Sequence, residues 1–393
     1  MNVEGEIQIV LYRRQERIEK VAIRSSRPLQ LTRLFEGKSV KELLSMLPML
    51  YSVCATAQAS AAAQACRQAM GIHGNPRVEL AEGMLVAVET AREHLWRILI
   101  DWSKFADVTV DRSLVASLSN LLPMAKHACF NDNDLFTLYP RLVMDQEKFS
   151  AVIELITKTA ADSVFEQAPA DWYACSTIED FDDWLEQTTT ATSKLLRRIR
   201  DEQSAQLADA GSYPLPAIDP LAICRRLAEE DADQFIAAPE WNGAVFETTP
   251  MTRMASHPLL RQLTKLYGFG LLTRLVARLM ELASIPAKLN GQLQALIEDC
   301  VESSALKPGL GVDQGMGQVE AARGRLIHRA VLDKGVVAGY QIVAPTEWNF
   351  HPRGVVARGL LTLPAREIDA LKRHADLFIN AVDPCVGYRL EIV

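Results

Sequence analysis

Helical periodicity runs through the interior of this chain and gives way to β patterning only near its two ends. That arrangement restricts the fold to an α+β class that is predominantly helical with a minor sheet. Apolar residues recur at helical spacing over roughly 40–48, 54–71, 82–103, 112–126, 146–167, 178–209, 259–283, 285–303 and 364–379. Pro364 suits the first turn of the last of these helices. Residues 5–12 and 18–24 ("GEIQIVLY", "IEKVAIR") are short, rich in Ile and Val and separated by a charged turn, which predicts a hairpin. A second hairpin is predicted in "RLIHRAVLDKGVVAGYQIVAPT", where Asp333-Lys334-Gly335 supplies the turn. The two pairs are expected to join in one small antiparallel sheet. The glycine-rich stretch "GLGVDQGMGQ" at 309–318 reads as a loop leading toward a strand. No repeat or low-complexity tract interrupts the chain, so its 393 residues, 49% of them hydrophobic, read as one domain over 1–393. Within it, 1–30 and 320–345 form the sheet region, 40–305 the helical body and 364–393 a terminal helix with a cysteine-bearing tail.

Composition removes several function classes. The net charge is -7, the pI is about 5.6 and Lys and Arg are spread along the chain, which argues against nucleic acid as the main partner. The N-terminus has no apolar signal core, and the apolar stretch "LYGFGLLTRLVARLMELASIPA" is broken by Arg274, Arg278 and Glu281, so neither secretion nor a membrane span is expected. Seven cysteines, an odd number widely scattered, do not form a disulfide framework and fit a reducing cytoplasm. No His or Cys group has zinc-like spacing, and there is no Walker loop, dinucleotide fingerprint or nucleophile elbow.

Two cysteines stand apart. Cys385 follows the stiff Asp383-Pro384 pair near the end of the chain, and Cys54 lies where an apolar segment passes into a run of Ala and Ser, "SVCATAQASAAAQA". Small side chains there admit either close backbone packing or a compact ligand. Cys66, Cys129, Cys175, Cys224 and Cys300 read as core or incidental thiols.

Six segments, in order along the chain, resemble the large subunit of nickel-iron hydrogenases and especially its shortened relatives, the HupK/HoxV-type hydrogenase assembly proteins. "VEGEIQI" is similar to R-I-E-G-H, "SVCATAQA" to R-x-C-G-x-C-x-x-x-H, and "FETTPMTRM" to E-x-G-P-L-A-R. "VEAARGRLIH" is similar to E-A-P-R-G-x-L-x-H, "YQIVAPTEWNFHPRG" to Y-Q-x-x-x-P-T-T-W-N-x-x-P-R, and "DPCVGYRLEIV" to D-P-C-x-x-C-x-x-H. In the enzymes two C-x-x-C pairs hold nickel, and the second cysteine of each pair also bridges to an iron bearing cyanide and carbon monoxide.

The departures from that pattern carry the functional expectation. Ala57 and Tyr388 stand at the bridging positions, Ser52 replaces an arginine, Ala61 falls at a histidine, and Glu391 falls at the terminal histidine that supports a magnesium site. The resemblance thus implies a non-catalytic scaffold of hydrogenase maturation, without nickel, that holds or transfers an Fe(CN)2(CO) fragment. Cys54 and Cys385 would be its metal ligands. Arg323 and Thr346 would contact the cyanides, and Pro345 with Ala321 and Ala322 would supply the dry wall that shelters carbon monoxide. Iron(II) with two cyanides is neutral and two thiolates make the unit dianionic, so Arg323 would offset one charge. The two retained cysteines match terminal nickel ligands, so holding iron gives them a role that their counterparts lack. Glu4 matches a proton-relaying glutamate and is expected here to be structural or to hydrogen-bond the Cys54 region.

The implied partners are the small HypC-type carrier, its iron-sulfur partner and the apo large subunit. The chain stops two residues beyond the terminal-histidine position, which implies that no C-terminal extension is cleaved and that the Cys385 thiol sits near a mobile tail. A divergent hydrogen-oxidising subunit and a metal-free docking chaperone are the alternatives.

Overall fold

A computed structural model of the chain describes residues 5–131, 135–301 and 310–393. Glu4 lies outside the described residues. The N-terminal hairpin is β1 (Glu6–Arg14) and β2 (Arg17–Ser25), and period-two patterning sends Ile7, Ile9 and Leu11 into the core. The second hairpin is β4 (Gly324–Asp333) and β5 (Val336–Val343). Its two turn residues, Lys334 and Gly335, both have positive φ, at 50° and 81°, which gives the turn a twist that matches the strands.

The hairpins do not join in one sheet, contrary to expectation. Each recruits a third strand instead: β6 (Gly387–Ile392) runs parallel to β1, and β3 (Gln314–Ala321) pairs antiparallel with β4. β3 is hard to read as a strand because its glycines serve packing rather than propensity. The Ala-rich helix α2 (Ala55–Ala69), which follows α1 (Val40–Leu50), lies directly on it, and a Cβ added at Gly315 or Gly317 would run into the backbone of Ala65 or Ala61. Close backbone approach therefore accounts for the alanine run and for the small residue at Ala61. Gly317→Ala should push α2 away and lower unfolding stability by about 1–3 kcal/mol. Chemical denaturation of the two proteins would show this as a lower midpoint at unchanged slope.

The helices follow the predicted periodicity, with three shifts. The span predicted as one helix over 178–209 is two, Ile178–Gln187 and Ala191–Asp201, because the Thr190 hydroxyl caps the second by accepting from Ser193 N–H. The break expected near 284 is absent, and Leu271–Ile297 runs unbroken through Pro286. That helix is buried over most of its length, and its packing outweighs the roughly 3 kcal/mol cost of an internal proline. The break falls instead at Gly268, whose φ is 64°. The final helix is Ile368–Val382, so Pro364 precedes it rather than opening it.

Two features aim residues at the site. α3 (Pro76–Trp96) continues into a π-helical turn over Arg97–Trp102, which directs Arg97 and Trp102 toward the end of the final helix. The tail is also fixed: β6 keeps register with β1, Arg13 N–H donates to Val393 O, and Val393 N–H donates to Leu11 O. The mobile tail expected around Cys385 is thus corrected by strand pairing that extends to the last residue.

Candidate thiol site

Cys54 is the residue immediately before α2, and Cys385 lies in the turn between the final helix and β6. The fold brings them to one narrow cleft of about 10 Å³, lined also by Gln58, Ala322, Arg323 and Pro345. Ala321 and Ala344 complete its small-residue wall. Cys385 is 9% exposed and Cys54 half-buried. Thr346 fixes Cys385 twice: its hydroxyl donates to Sγ at 3.0 Å and accepts from the cysteine's N–H at 3.2 Å. Gln58 Nε2 lies 3.7 Å from Cys54 Sγ. Of the five residues proposed from the resemblance, Cys54, Arg323, Pro345 and Cys385 line this cleft, and Thr346 reaches it through its two bonds to Cys385.

The second position of each former pair offers no sulfur. Ala57 is fully buried in α2, and Tyr388 points its hydroxyl away to donate to Asp376 Oδ1 at 3.0 Å. Glu391 faces solvent on β6. Among the described residues, no three His, Cys, Asp or Glu side chains converge on a point that would hold a metal ion. This donor set does not fit a thiolate-bridged nickel-iron pair.

Electrostatics around the thiols depend on residues that no motif announced. Glu89, from α3, accepts from the N–H groups of Thr56 and Ala57 at 2.8 and 2.9 Å, so the positive end of α2 is taken up by a carboxylate instead of a thiolate. Burial raises the Glu89 carboxyl despite those two bonds. Burial, then Cys385 and Glu89, push the Cys54 thiol up to about 12, while Arg323 and Gln58 oppose the rise. Without metal, Cys54 is a neutral thiol near neutral pH.

Arg323 sits over the cleft, held by Glu93 Oε2 at 3.1 Å and Asp383 Oδ1 at 3.3 Å. Asp383 also receives Arg97 and, at 3.0 Å, Arg278. These guanidiniums hold its carboxyl well below the usual range against the opposing effect of burial. Asp383 has φ at 70°, a left-handed conformation that Asp tolerates better than most residues, and this turn presents Cys385. The Asp383-Pro384 pair is thus a charged clamp as well as a stiff corner. Arg323 is also held through its backbone, since Asn349 Nδ2 donates to Arg323 O and Thr248 O, both at 3.0 Å. The segments around "FETTP", "AARGR" and "PTEWN" therefore meet as one support.

The nickel-dependent hydrogenase family model matches residues 101–359, well over half the chain, and the chain belongs to that family. Among individual relatives, it is 29% identical over 387 residues to the hydrogenase expression/formation protein HoxV of Cupriavidus necator, covering 94% of this chain and 92% of the relative. It is 28% identical over 378 residues to the hydrogenase expression/formation protein HupK of Rhizobium leguminosarum bv. viciae, with 95% and 92% covered. The fold superposes on the Ni-Fe-Se hydrogenase of D. vulgaris Hildenborough with a TM-score of 0.66 at 14% identity, covering 95% of this chain and 94% of that one. No helix among the described residues is long and apolar enough to cross a membrane.

Proposed function

We propose that this chain is a non-catalytic scaffold of nickel-iron hydrogenase maturation that takes the Fe(CN)2(CO) unit between Cys54 and Cys385 and passes it toward the apo large subunit. The observation that carries this reading is the shared cleft: one cysteine from each former pair remains, with Arg323 above it, while Ala57 and Tyr388 contribute no bridging sulfur. The names of the relatives support the maturation role. Two thiolates complete the coordination of a low-spin iron whose other ligands are diatomic. Loading breaks two S–H bonds, forms two Fe–S bonds and releases two protons, and the groups that held iron on the carrier leave with their electron pairs. No oxidant or reductant is required.

Each residue has a part in that exchange. Thr346 donates to Cys385 and lowers the charge density on its thiolate. Ala321, Ala322 and Pro345 keep water from the carbonyl face, and Arg323 faces the anionic unit from above. A cradle with two protein ligands and no second metal releases its cargo more readily than one with four bridging and terminal thiolates. The partners that fit are a small carrier that delivers the iron unit, its iron-sulfur partner and the recipient subunit.

Metal analysis of protein purified anaerobically from a host with the complete maturation machinery tests this reading. It predicts iron approaching one per chain without matching nickel. Stoichiometric nickel with hydrogen turnover would favour a catalytic subunit, and absence of both metals would favour a docking chaperone.

A further inference from the structure

The charge on the proposed cargo exceeds what Arg323 can offset. The bound unit carries two negative charges, but Arg323 already faces Glu93 and Asp383, so its charge is largely spent before cargo arrives. A second cation stands on another side. Arg27 follows β2, its side chain is only 10% exposed, and its Nη1 donates to Glu347 Oε1 at 2.7 Å. Glu347 stands where the hydrogenase pattern has the second threonine of P-T-T-W-N, directly after the Thr346 that holds Cys385. Its other oxygen, Oε2, is buried and has no hydrogen-bond partner among the described residues.

The position of Arg27 is fixed by the fold. Ser26 N–H donates to Glu6 O at 2.9 Å and the Ser26 hydroxyl accepts from Glu6 N–H, which ties the end of β2 to the start of β1. Gly5 has φ at 77°, and a Cβ there would collide with the Arg27 backbone, so only glycine allows this seating. On its outer side Arg27 lines a cleft of about 280 Å³ with Tyr51, Arg329 and Glu347, and Ala344 is a wall common to that cleft and the thiol cleft. Cys385 and Cys54, when ionised, favour the charged form of this guanidinium.

We propose that Arg27 is the second cation of the thiol site, a cargo-binding residue held by Glu347 in the empty cleft and turned toward the cyanide nitrogens when the iron unit is seated. The inference rests on the iron-scaffold reading for the identity of the cargo, but the placement of Arg27 does not. A surface arginine would be hydrated and unpaired. This one is buried and meets one carboxylate among the described residues, and a guanidinium has five N–H donors, enough to reach an anion as well. Glu347 keeps the empty site electrically neutral on this side and competes with the cargo for Arg27. The outer cleft is the side from which an anionic metal unit meets this cation.

The test has one arm without cargo and one with it. In the metal-free protein, the rates of Cys54 alkylation by iodoacetate, an anion, and iodoacetamide, which is neutral, are compared by peptide mass spectrometry. Both reagents attack the thiolate, so their ratio cancels thiol ionisation and reads local charge. Arg27→Ala should lower the ratio about three- to tenfold, as expected for removing one nearby charge from a partly buried site. Glu347→Gln should raise it by a similar factor, and Arg27→Lys should keep it near the wild-type value. Identical ratios in all four proteins would overturn the placement, and Glu347→Gln and Arg27→Lys keep the comparison decisive if Arg27→Ala folds poorly.

In the cargo arm, anaerobically purified Arg27→Ala should retain severalfold less iron and show shifted cyanide infrared bands. Unchanged iron and bands would overturn the cargo-binding role alone. Missing cyanide bands in the wild type together with a normal charge ratio would overturn the iron reading and leave the placement of Arg27 standing.

Discussion

Cys385→Ala and Cys54→Ala should each lose the iron unit, with affinity down by at least about 100-fold, because removing a protein ligand exceeds the 10- to 100-fold cost of removing a group that only supports one. Neither substitution should unfold the chain. Cys54 is half-buried at the mouth of α2, and at Cys385 the loss is one methyl-sized group and its contacts with Thr346. The Thr346 O–H loses its sulfur acceptor while its oxygen still accepts from the residue-385 N–H, a cost of at most about 1–3 kcal/mol, within the margin of a domain of this size. Iron content and thermal stability measured on the same preparations separate the two effects. Iron should vanish while the melting temperature moves little. Wild-type iron in both variants would dismiss the thiol assignment.

The second large effect concerns the clamp behind the site. Asp383→Ala leaves Arg97, Arg278 and Arg323 facing one another without their common carboxylate, and breaking a buried ion cluster in this way typically costs about 3–5 kcal/mol. The sign of its pH dependence follows from the direction of the shift. The folded carboxyl titrates well below its ordinary value, whereas in the unfolded chain it titrates near about 3.9. The folded state therefore gains stability that is complete above the unfolded value and is lost as pH falls through the folded one. Asp383→Asn, which tolerates the same left-handed turn, should be much less stable than wild type at neutral pH, and the difference should shrink in strong acid. Urea unfolding at several pH values measures this, and a constant difference would count against the cluster as the cause. Since Arg323 and the Cys385 turn depend on this carboxylate, iron retention should fall as well.

The pattern of what the sequence revealed follows from the range of the interactions involved. Local signals were sufficient for the two hairpins, where alternating Ile and Val flank short turns, and for the capped helices of the body. The cysteines and Arg323 were legible through ordered segments that the chain shares with its family. β3 was obscured because Gly315 and Gly317 answer to the backbone of α2. β6 was obscured because its short sequence, "GYRLEI", has a strand only when β1 lies beside it. The Arg27–Glu347 pair joins positions 320 residues apart, and Asp383 collects arginines from three separate segments. Neither juxtaposition leaves a local trace. Long-range charge pairing thus decided the parts of the site that residue spacing left blank, and it also changed the expected share of Arg323 in neutralising the cargo.

Infrared spectroscopy of the anaerobically purified wild-type chain in the cyanide and carbonyl stretching region tests the central claim most directly. The scaffold account predicts two cyanide bands and one carbonyl band from a single iron unit held by Cys54 and Cys385. A spectrum empty in that region, from protein made alongside active maturation machinery, would contradict it.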